Sequence, residues 1–331
     1  MKKIRLVGIF MMAILLTIAA AACGQQQTTS LKVAEVTRSI FYAPQYVALE
    51  KGFFEEEGLE VELNTTWGGD KTMTALLSDG TDIALVGSET SIYVHARGAN
   101  DPAVNFAQLT QTDGTFLVAR EEVKDFQWED LNDSTFLGQR KGGMPQMVGE
   151  FVLKKHGIDP QKNLNLIQNV DYANIPNAFA SGTGDYVQLF EPTASIFEQE
   201  GIGHIVASFG EESGHVPYTV FMAKESFIKE NEEAIKKFTK AIYKAQQWVE
   251  AQPAMETAKV IQPYFEDSEL DLIATVVDRY KSQGSFATDP ILDEEEWNNL
   301  KVIMEEAGEL PEDVDHSTLV NTSIAEEIIS E

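Results

Sequence analysis

The chain has 331 residues, a length for about two domains, and its 43% hydrophobic and 24% charged content is that of an ordinary folded protein rather than a disordered or fibrous one. Its 53 acidic residues against 25 basic ones leave a net charge of −28, which repels phosphate backbones and sets nucleic acid aside as a partner. One Cys and five scattered His exclude an intrachain disulfide and a zinc-type ligand spacing, so neither metal nor cofactor is expected.

At the N-terminus Lys2, Lys3 and Arg5 precede an apolar run over 6–18, then Ala19 to Ala22, then Cys23. Charged, apolar and small-residue regions in that order predict a secretory signal peptide over 1–22. The apolar run is short of the roughly 20 residues a membrane span needs. The sole Cys follows Ala21 and Ala22, and the segment resembles a bacterial lipobox, with Ala20 where Leu is usual. That makes Cys23 the expected lipidation site; the alternative is an N-terminal anchor helix with an incidental Cys. Residues 23–30 are polar and without apolar periodicity, which predicts a flexible tether. Loss of 1–22 takes the net charge from −28 to −31.

Beyond the tether, 31–37 alternates as a strand does. A helical pattern over 44–54 follows, then an alternating stretch over 59–65 and a short helix over 71–77 with Asp70 as its N-cap. A buried-type strand over 82–86 leads to a helix over 89–97, and 104–110 and 115–119 add strands. This β-α-β-α-β-α order predicts a parallel sheet covered by helices on both faces. A second block repeats it: strand 135–138, a glycine-containing loop 140–145, helix 146–156, strand 164–170, short helix 175–180, strand 186–190, helix 192–200 and strand 205–209. The tail is helical, and over 231–250 Ile235, Phe238, Ile242, Ala245 and Val249 form one apolar stripe.

Residues 115–121 (TFLVARE) echo residues 219–225 (TVFMAKE). If these mark two crossings between the blocks, the first lobe is discontinuous, 31–117 plus 220–331, with 118–219 as the second. Chance likeness of two buried strands is the alternative.

Residues 42–61 (YAPQYVALEKGFFEEEGLEV) resemble the opening of solute-binding proteins of ABC importers, in the branch serving sulfonates, nitrate, taurine and thiamine pyrimidine precursors. Residues 75–84 (ALLSDGTDIA), 151–159 (FVLKKHGID) and 178–185 (AFASGTGD) resemble further motifs of that family, and the likeness runs over about 31–250. The resemblance implies two doubly wound α/β lobes of the periplasmic-binding-protein type II kind. It also implies two hinge strands, a ligand cleft between the lobes and closure on binding. Its implied partners are a small solute, a permease with its ATPase and, through Cys23, the outer face of a bacterial membrane; the chain itself is expected to be a monomer.

In open α/β sheets ligands sit beyond the C-terminal strand ends. The loops there offer Ser39, Phe41 and Tyr42; Trp67, Gly68, Gly69 and Asp70; Ser88, Glu89 and Thr90; Arg140, Gly142, Gly143 and Met144; Tyr172; and Glu191. Aromatic faces, glycines and a few charges suit a small flat polar ligand. Each has a plainer role: the aromatics as caps on the core, Gly68 and Gly69 as a turn, Glu191 as complement to the helix that follows.

No Ser-His-Asp order, catalytic carboxylate pair or metal cluster supports an enzyme. A pyrimidine synthase resembles these binding proteins in fold, but such an enzyme looks to need a cysteine-rich motif that this chain lacks. An extracellular adhesion or sensor protein is a third class. Ligand choice turns on charge: like charges 4 Å apart cost roughly 4 kcal/mol at an effective dielectric of about 20. Glu89, Glu191 and Asp70 oppose an anion, and Arg38 and Arg140 favour one. The expected order is an aminopyrimidine-type thiamine precursor, then an aliphatic sulfonate, then another nitrogenous solute.

Overall fold

The structure, a computed structural model, describes residues 28–330. The expected signal peptide over 1–22 and the lipidation site Cys23 lie outside those residues, as does most of the tether. Its last two residues belong to the fold: β1 (Thr29–Glu35) starts at Thr29, which pairs with Leu59.

Two five-stranded sheets organise the chain. In the first, β1 runs parallel to β2 (Leu59–Thr65) and to β3 (Ile83–Val86). β10 (Thr219–Lys224) lies antiparallel between β3 and β4 (Ala103–Thr110). In the second sheet β6 (Thr135–Leu137) is parallel to β7 (Asn165–Ile167) and β8 (Tyr186–Phe190). β5 (Thr115–Ala119) lies antiparallel between β8 and β9 (His204–Ser208). The all-parallel expectation therefore gives way to mixed sheets, because a strand arriving from the other sheet enters each one in the reverse sense.

The two orders are the same figure: β2-β1-β3-β10-β4 and β7-β6-β8-β5-β9. β10 and β5 hold the fourth place in each, flanked on both sides, and all but one of their residues are buried. This accounts for the sequence echo, since equivalent fully flanked positions demand the same apolar strand. The chain leaves the first sheet through 111–114 and returns through 209–218. β5 lies wholly in the second sheet, so 115–117 go with it rather than with 31–114.

Helix limits differ from expectation where glycine or proline intervenes. The pattern over 44–54 divides into Ala43–Glu50 and Phe53–Glu56, because Gly52 adopts φ +71° between them. The helix Met144–Lys155 takes in Met144 and Pro145 of the expected loop, with Pro in its first turn where no N–H is needed. The long helix Glu232–Ala251 buries its whole predicted stripe; Phe238 meets Phe54 at 5.0 Å and Phe221 at 4.9 Å, which seats the helix on the first sheet. The helix Leu270–Ser282 reaches the junction between the sheets. There the Tyr280 hydroxyl donates to the Gly114 carbonyl at 2.9 Å, in the first crossover.

Candidate functional site

A cavity of about 260 Å³ lies between the sheets, at the C-terminal ends of their parallel strands. The first sheet contributes Val36 and Thr37 after β1, Gly68, Gly69 and Asp70 after β2, Val86, Gly87, Glu89 and Thr90 at β3, and Tyr218 and Thr219 at β10. The second contributes Gln139 to Pro145 after β6, Tyr172 after β7 and Phe190 at the end of β8. Strand ends of both sheets thus supply the walls, as the general rule for open α/β sheets requires.

Three helices begin at this cavity: Gly69–Leu77, Glu89–Ala96 and Met144–Lys155. Their N-termini bring unsatisfied backbone N–H groups and the positive ends of helix dipoles. Into that positive ground the chain places its own carboxylate. Glu89 is 4% exposed, and its Oε2 has no hydrogen-bond partner. Burial pushes its carboxyl up to about 8, against the pull of the backbone N–H groups of Glu89, Met144 and Thr90; no arginine or lysine contributes. The carboxylate folds back over Gly87, where a Cβ would stand 2.1 Å from Oε2. Only glycine leaves room for it there.

The aromatic lining is Tyr42, Tyr172, Phe190 and Tyr218. Tyr172 meets Phe190 edge-on at 6.2 Å. Burial raises the Tyr172 phenol to about 12, with Thr37 opposing, so the ring stays neutral and offers an apolar face with a polar tip.

Of the expected site residues, Tyr42, Gly68, Gly69, Asp70, Glu89, Thr90, Arg140, Gly142, Gly143, Met144 and Tyr172 line the cavity. The other five do not. Phe41 is fully buried behind it, its ring 5.0 Å from Tyr280, 5.6 Å from Tyr218 and 6.0 Å from Phe190. It is the apolar joint between the sheets, not a stacking platform. Ser88 is buried and donates to the Pro217 carbonyl. Ser39, Trp67 and Glu191 line an adjoining cleft of about 210 Å³ that shares Thr37, Gln139, Tyr172 and Phe190 with the cavity. Ser39 spends its hydroxyl on the Glu191 carbonyl at 3.1 Å and on capping Phe41 N–H at 3.2 Å. Trp67 is exposed, with φ +59°.

The expected role of Glu191 is to accept a bond from the ligand, but its carboxylate is already occupied. It accepts Ser195 N–H at 2.9 Å and the Ser195 hydroxyl at 2.8 Å, and it pairs with Arg279. Burial raises its pKa and Arg279 opposes that rise. Two adjacent elements fix it: the end of β8, and the helix Thr193–Gln199 whose first turn it complements.

The arginines set against these acids are also engaged. Arg38 donates to Glu35 Oε1 at 2.9 Å and lies over the rings of Tyr46 and Tyr264, 5.4 and 5.0 Å from their centroids. Arg140 reaches Asp70 at 3.3 Å and Asp171 at 3.6 Å across the cavity mouth. Arg38 is held outside the cavity lining, and Arg140 stands at its mouth between two acids, beside Lys141.

Sequence reasoning missed Thr37, Gln139, Phe190, Tyr218 and Thr219. They are strand-end residues or their immediate neighbours, and the alternation that predicts a strand does not say which end opens on a cavity. It also missed Glu35. Its buried carboxylate gathers Gln45, Tyr46, Thr65 and Arg38 and so sets the turn that carries Tyr42. Burial raises the Glu35 pKa, with Thr65 and Arg38 opposing.

Two α/β lobes with mixed sheets of one strand order, and a cavity walled by strand ends from both, define a periplasmic-binding-protein fold. The chain belongs to the NMT1-like family, which matches residues 24–262. It is 66% identical over 320 residues to YtlA of Bacillus subtilis (strain 168), a protein named provisionally as a binding protein, with 96% of each chain covered. Among solved structures it is similar to the ligand-binding component of an ABC-type import system from Staphylococcus aureus, with zinc bound. That likeness has a TM-score of 0.74 at 13% identity and covers 91% of this chain and 99% of the other. It is also similar to the alkanesulfonate-binding protein SsuA of Xanthomonas axonopodis pv. citri bound to MOPS, with a TM-score of 0.70 at 15% identity over 89% and 99% of the two chains. These likenesses place the chain among binding proteins, not enzymes.

Proposed function

We propose that this chain is the extracytoplasmic solute-binding protein of an ABC importer, and that its cavity takes a flat amino-bearing heterocycle of the aminopyrimidine type. The support for a binding role is the family, the fold and the names of its relatives. The observation that carries the ligand class is Glu89, a buried carboxylate without a cation, set among Tyr42, Tyr172, Phe190 and Tyr218. A sulfonate placed there meets an acid and no free arginine. The sheets then act as two lobes, 29–110 with 219–330 and 115–208, hinged through 111–114 and 209–218, and ligand binding closes them. Cys23 carries the lipid that holds the protein at the membrane beside its permease.

A thermal-shift screen of the purified chain without residues 1–23 tests the ligand class. Aminopyrimidines raise the melting temperature by several degrees, as binding to the folded state requires, and aliphatic sulfonates and nitrate do not. Stabilisation by a sulfonate alone overturns the reading. That second reading draws on the three helix N-termini at the cavity, which favour an anion wherever Glu89 does not already stand. For the anchor, Cys23→Ser releases the folded protein from the membrane fraction; unchanged retention after signal cleavage removes the lipoprotein assignment.

A further inference from the structure

The cavity holds a carboxylate whose role the fold does not explain. Two other buried glutamates have partners on both oxygens: Glu35 has Arg38, Thr65, Gln45 and Tyr46, and Glu191 has Arg279 and Ser195. Asp113 also keeps one oxygen unpaired, but it is not part of the cavity lining. Glu89 has an oxygen without any partner and faces the cavity. The backbone N–H groups of Glu89, Thr90 and Met144 draw it, as they draw any acid at a helix N-terminus, but this one is covered, and Gly87 is left without a side chain beneath it.

We propose that Glu89 is the specificity-determining group of the cavity and meets its ligand as a neutral carboxylic acid. Its O–H is given to a ring nitrogen and its carbonyl oxygen takes an N–H from the amino group beside that nitrogen. This deepens, and rests on, the reading of the cavity as a site for an amino heterocycle. An acid in this state matches the neutral edge of such a ring, one acceptor next to one donor, in a pair of parallel hydrogen bonds. An aliphatic amine lacks the acceptor, and a sulfonate lacks the donor.

The surroundings favour the neutral form. Tyr42 and Tyr218 face Glu89 from the turn after β1 and from the start of β10, and Tyr93 lies one turn along its own helix; all three phenols are raised, with burial first and Glu89 among the causes. Asp113 stands behind Tyr218, and Glu309 acts on Tyr93. Asp70, Arg140 and Lys141 line the mouth, and Arg140 is held there by Asp70 and Asp171. From the helix Met144–Lys155 comes only a backbone N–H. With a carboxyl pushed up to about 8 by burial, the proton is present at neutral pH and leaves above it.

Calorimetric titration of wild type, Glu89→Gln and Glu89→Leu with 4-amino-2-methylpyrimidine between pH 7 and 9.5 tests the assignment. Wild-type affinity holds to about pH 8 and then weakens, approaching tenfold per pH unit. Glu89→Gln, whose amide also offers one donor and one acceptor, shows no such fall. Glu89→Leu binds at least tenfold more weakly throughout. Wild-type affinity that rises through pH 8, or Glu89→Leu binding as wild type, overturns the proposal. The infrared spectrum of the unliganded protein is the second measurement. The difference between wild type and Glu89→Gln shows a protonated-carboxyl band at pH 7 that fades as pH rises through about 8, and its absence at pH 7 overturns the neutral acid whatever the ligand. Failure of the aminopyrimidine to bind wild type at any pH, with the band present, instead defeats the functional reading and the ligand edge assigned to Glu89.

Discussion

Glu89 and Glu191 stand at corresponding places in the two halves of the molecule. Each follows the third parallel strand of its sheet, β3 or β8; Glu89 opens the next helix and Glu191 lies just before one. Both are buried, at 4% and 1% exposure. Yet one is enclosed by Arg279 and Ser195, and the other is left facing a cavity. Burial of a carboxylate at a strand end is therefore no mark of a ligand site; what distinguishes the two is whether the fold has already satisfied the group. An acid with its partners in place belongs to the structure, and an acid that lines a cavity with one oxygen unpaired has a bond to offer a ligand.

The largest effect expected from this contrast is on the satisfied side. Arg279→Met leaves Glu191 buried with only Ser195, and removal of one member of a buried pair costs about 3–5 kcal/mol. Arg279 is partly exposed, so urea unfolding at pH 7 should show a loss near the lower end. At low pH, where Glu191 is protonated, the loss shrinks. A variant as stable as wild type but tenfold weaker in binding solute would break the comparison, because it would make Glu191 a ligand group.

A smaller effect is expected on the other side. An unfolded Glu89 releases its proton near 4.5 and the folded one near 8, so between those values the folded state holds the extra proton. Stability from this group is full below about pH 4.5 and is lost as pH rises to about 8. Relative to Glu89→Gln, the unliganded wild type should lose on the order of 2 kcal/mol between pH 6 and pH 8. Unfolding curves that keep a constant difference across that window would show an ordinary carboxylate. Gly87→Ala sharpens the same point. Its Cβ would displace the Glu89 carboxylate without straining the backbone, so affinity should fall about tenfold, or about 1.4 kcal/mol, with little change in melting temperature.

Much of this architecture is legible in the sequence because it rests on local patterns. The strands, their order in each block and the apolar stripe of Glu232–Ala251 follow from periodicity alone. The echo of TFLVA and TVFMAK marks the two strands that hold the fourth place in each sheet. Glycine loops and strand ends likewise bring out Gly68, Gly142, Tyr42 and Glu89. What sequence cannot reveal is pairing over long separations. Arg279 lies 88 residues from Glu191, in a tail helix with no motif to tie it to the second lobe. Without that partner in view Glu191 reads as the better ligand acid, and Phe41 reads as a stacking ring until Tyr280 and Tyr218 are seen to enclose it.

The smallest expected effect concerns the second arginine that joins the lobes. Arg140 reaches from the second lobe to Asp70 on the first, as Arg279 reaches from the first to Glu191 on the second. The chemistry is the same and the setting is not. Arg140, Asp70 and Asp171 have 50%, 61% and 75% of their side chains exposed, so water and salt screen the pair and its contribution is below about 1 kcal/mol. Its place at the cavity mouth gives that small energy a kinetic role in the proposed function, in which solute leaves past the bridge. Arg140→Gln should therefore leave stability within about 0.5 kcal/mol and raise the solute dissociation rate about threefold, as stopped-flow fluorescence would read. High salt should speed wild-type release toward the variant's rate and leave the variant nearly unchanged. Equal rates for the two proteins at low salt would mean that the bridge closes nothing, and that the contacts of Phe41, Tyr280 and Arg279 alone hold the lobes together.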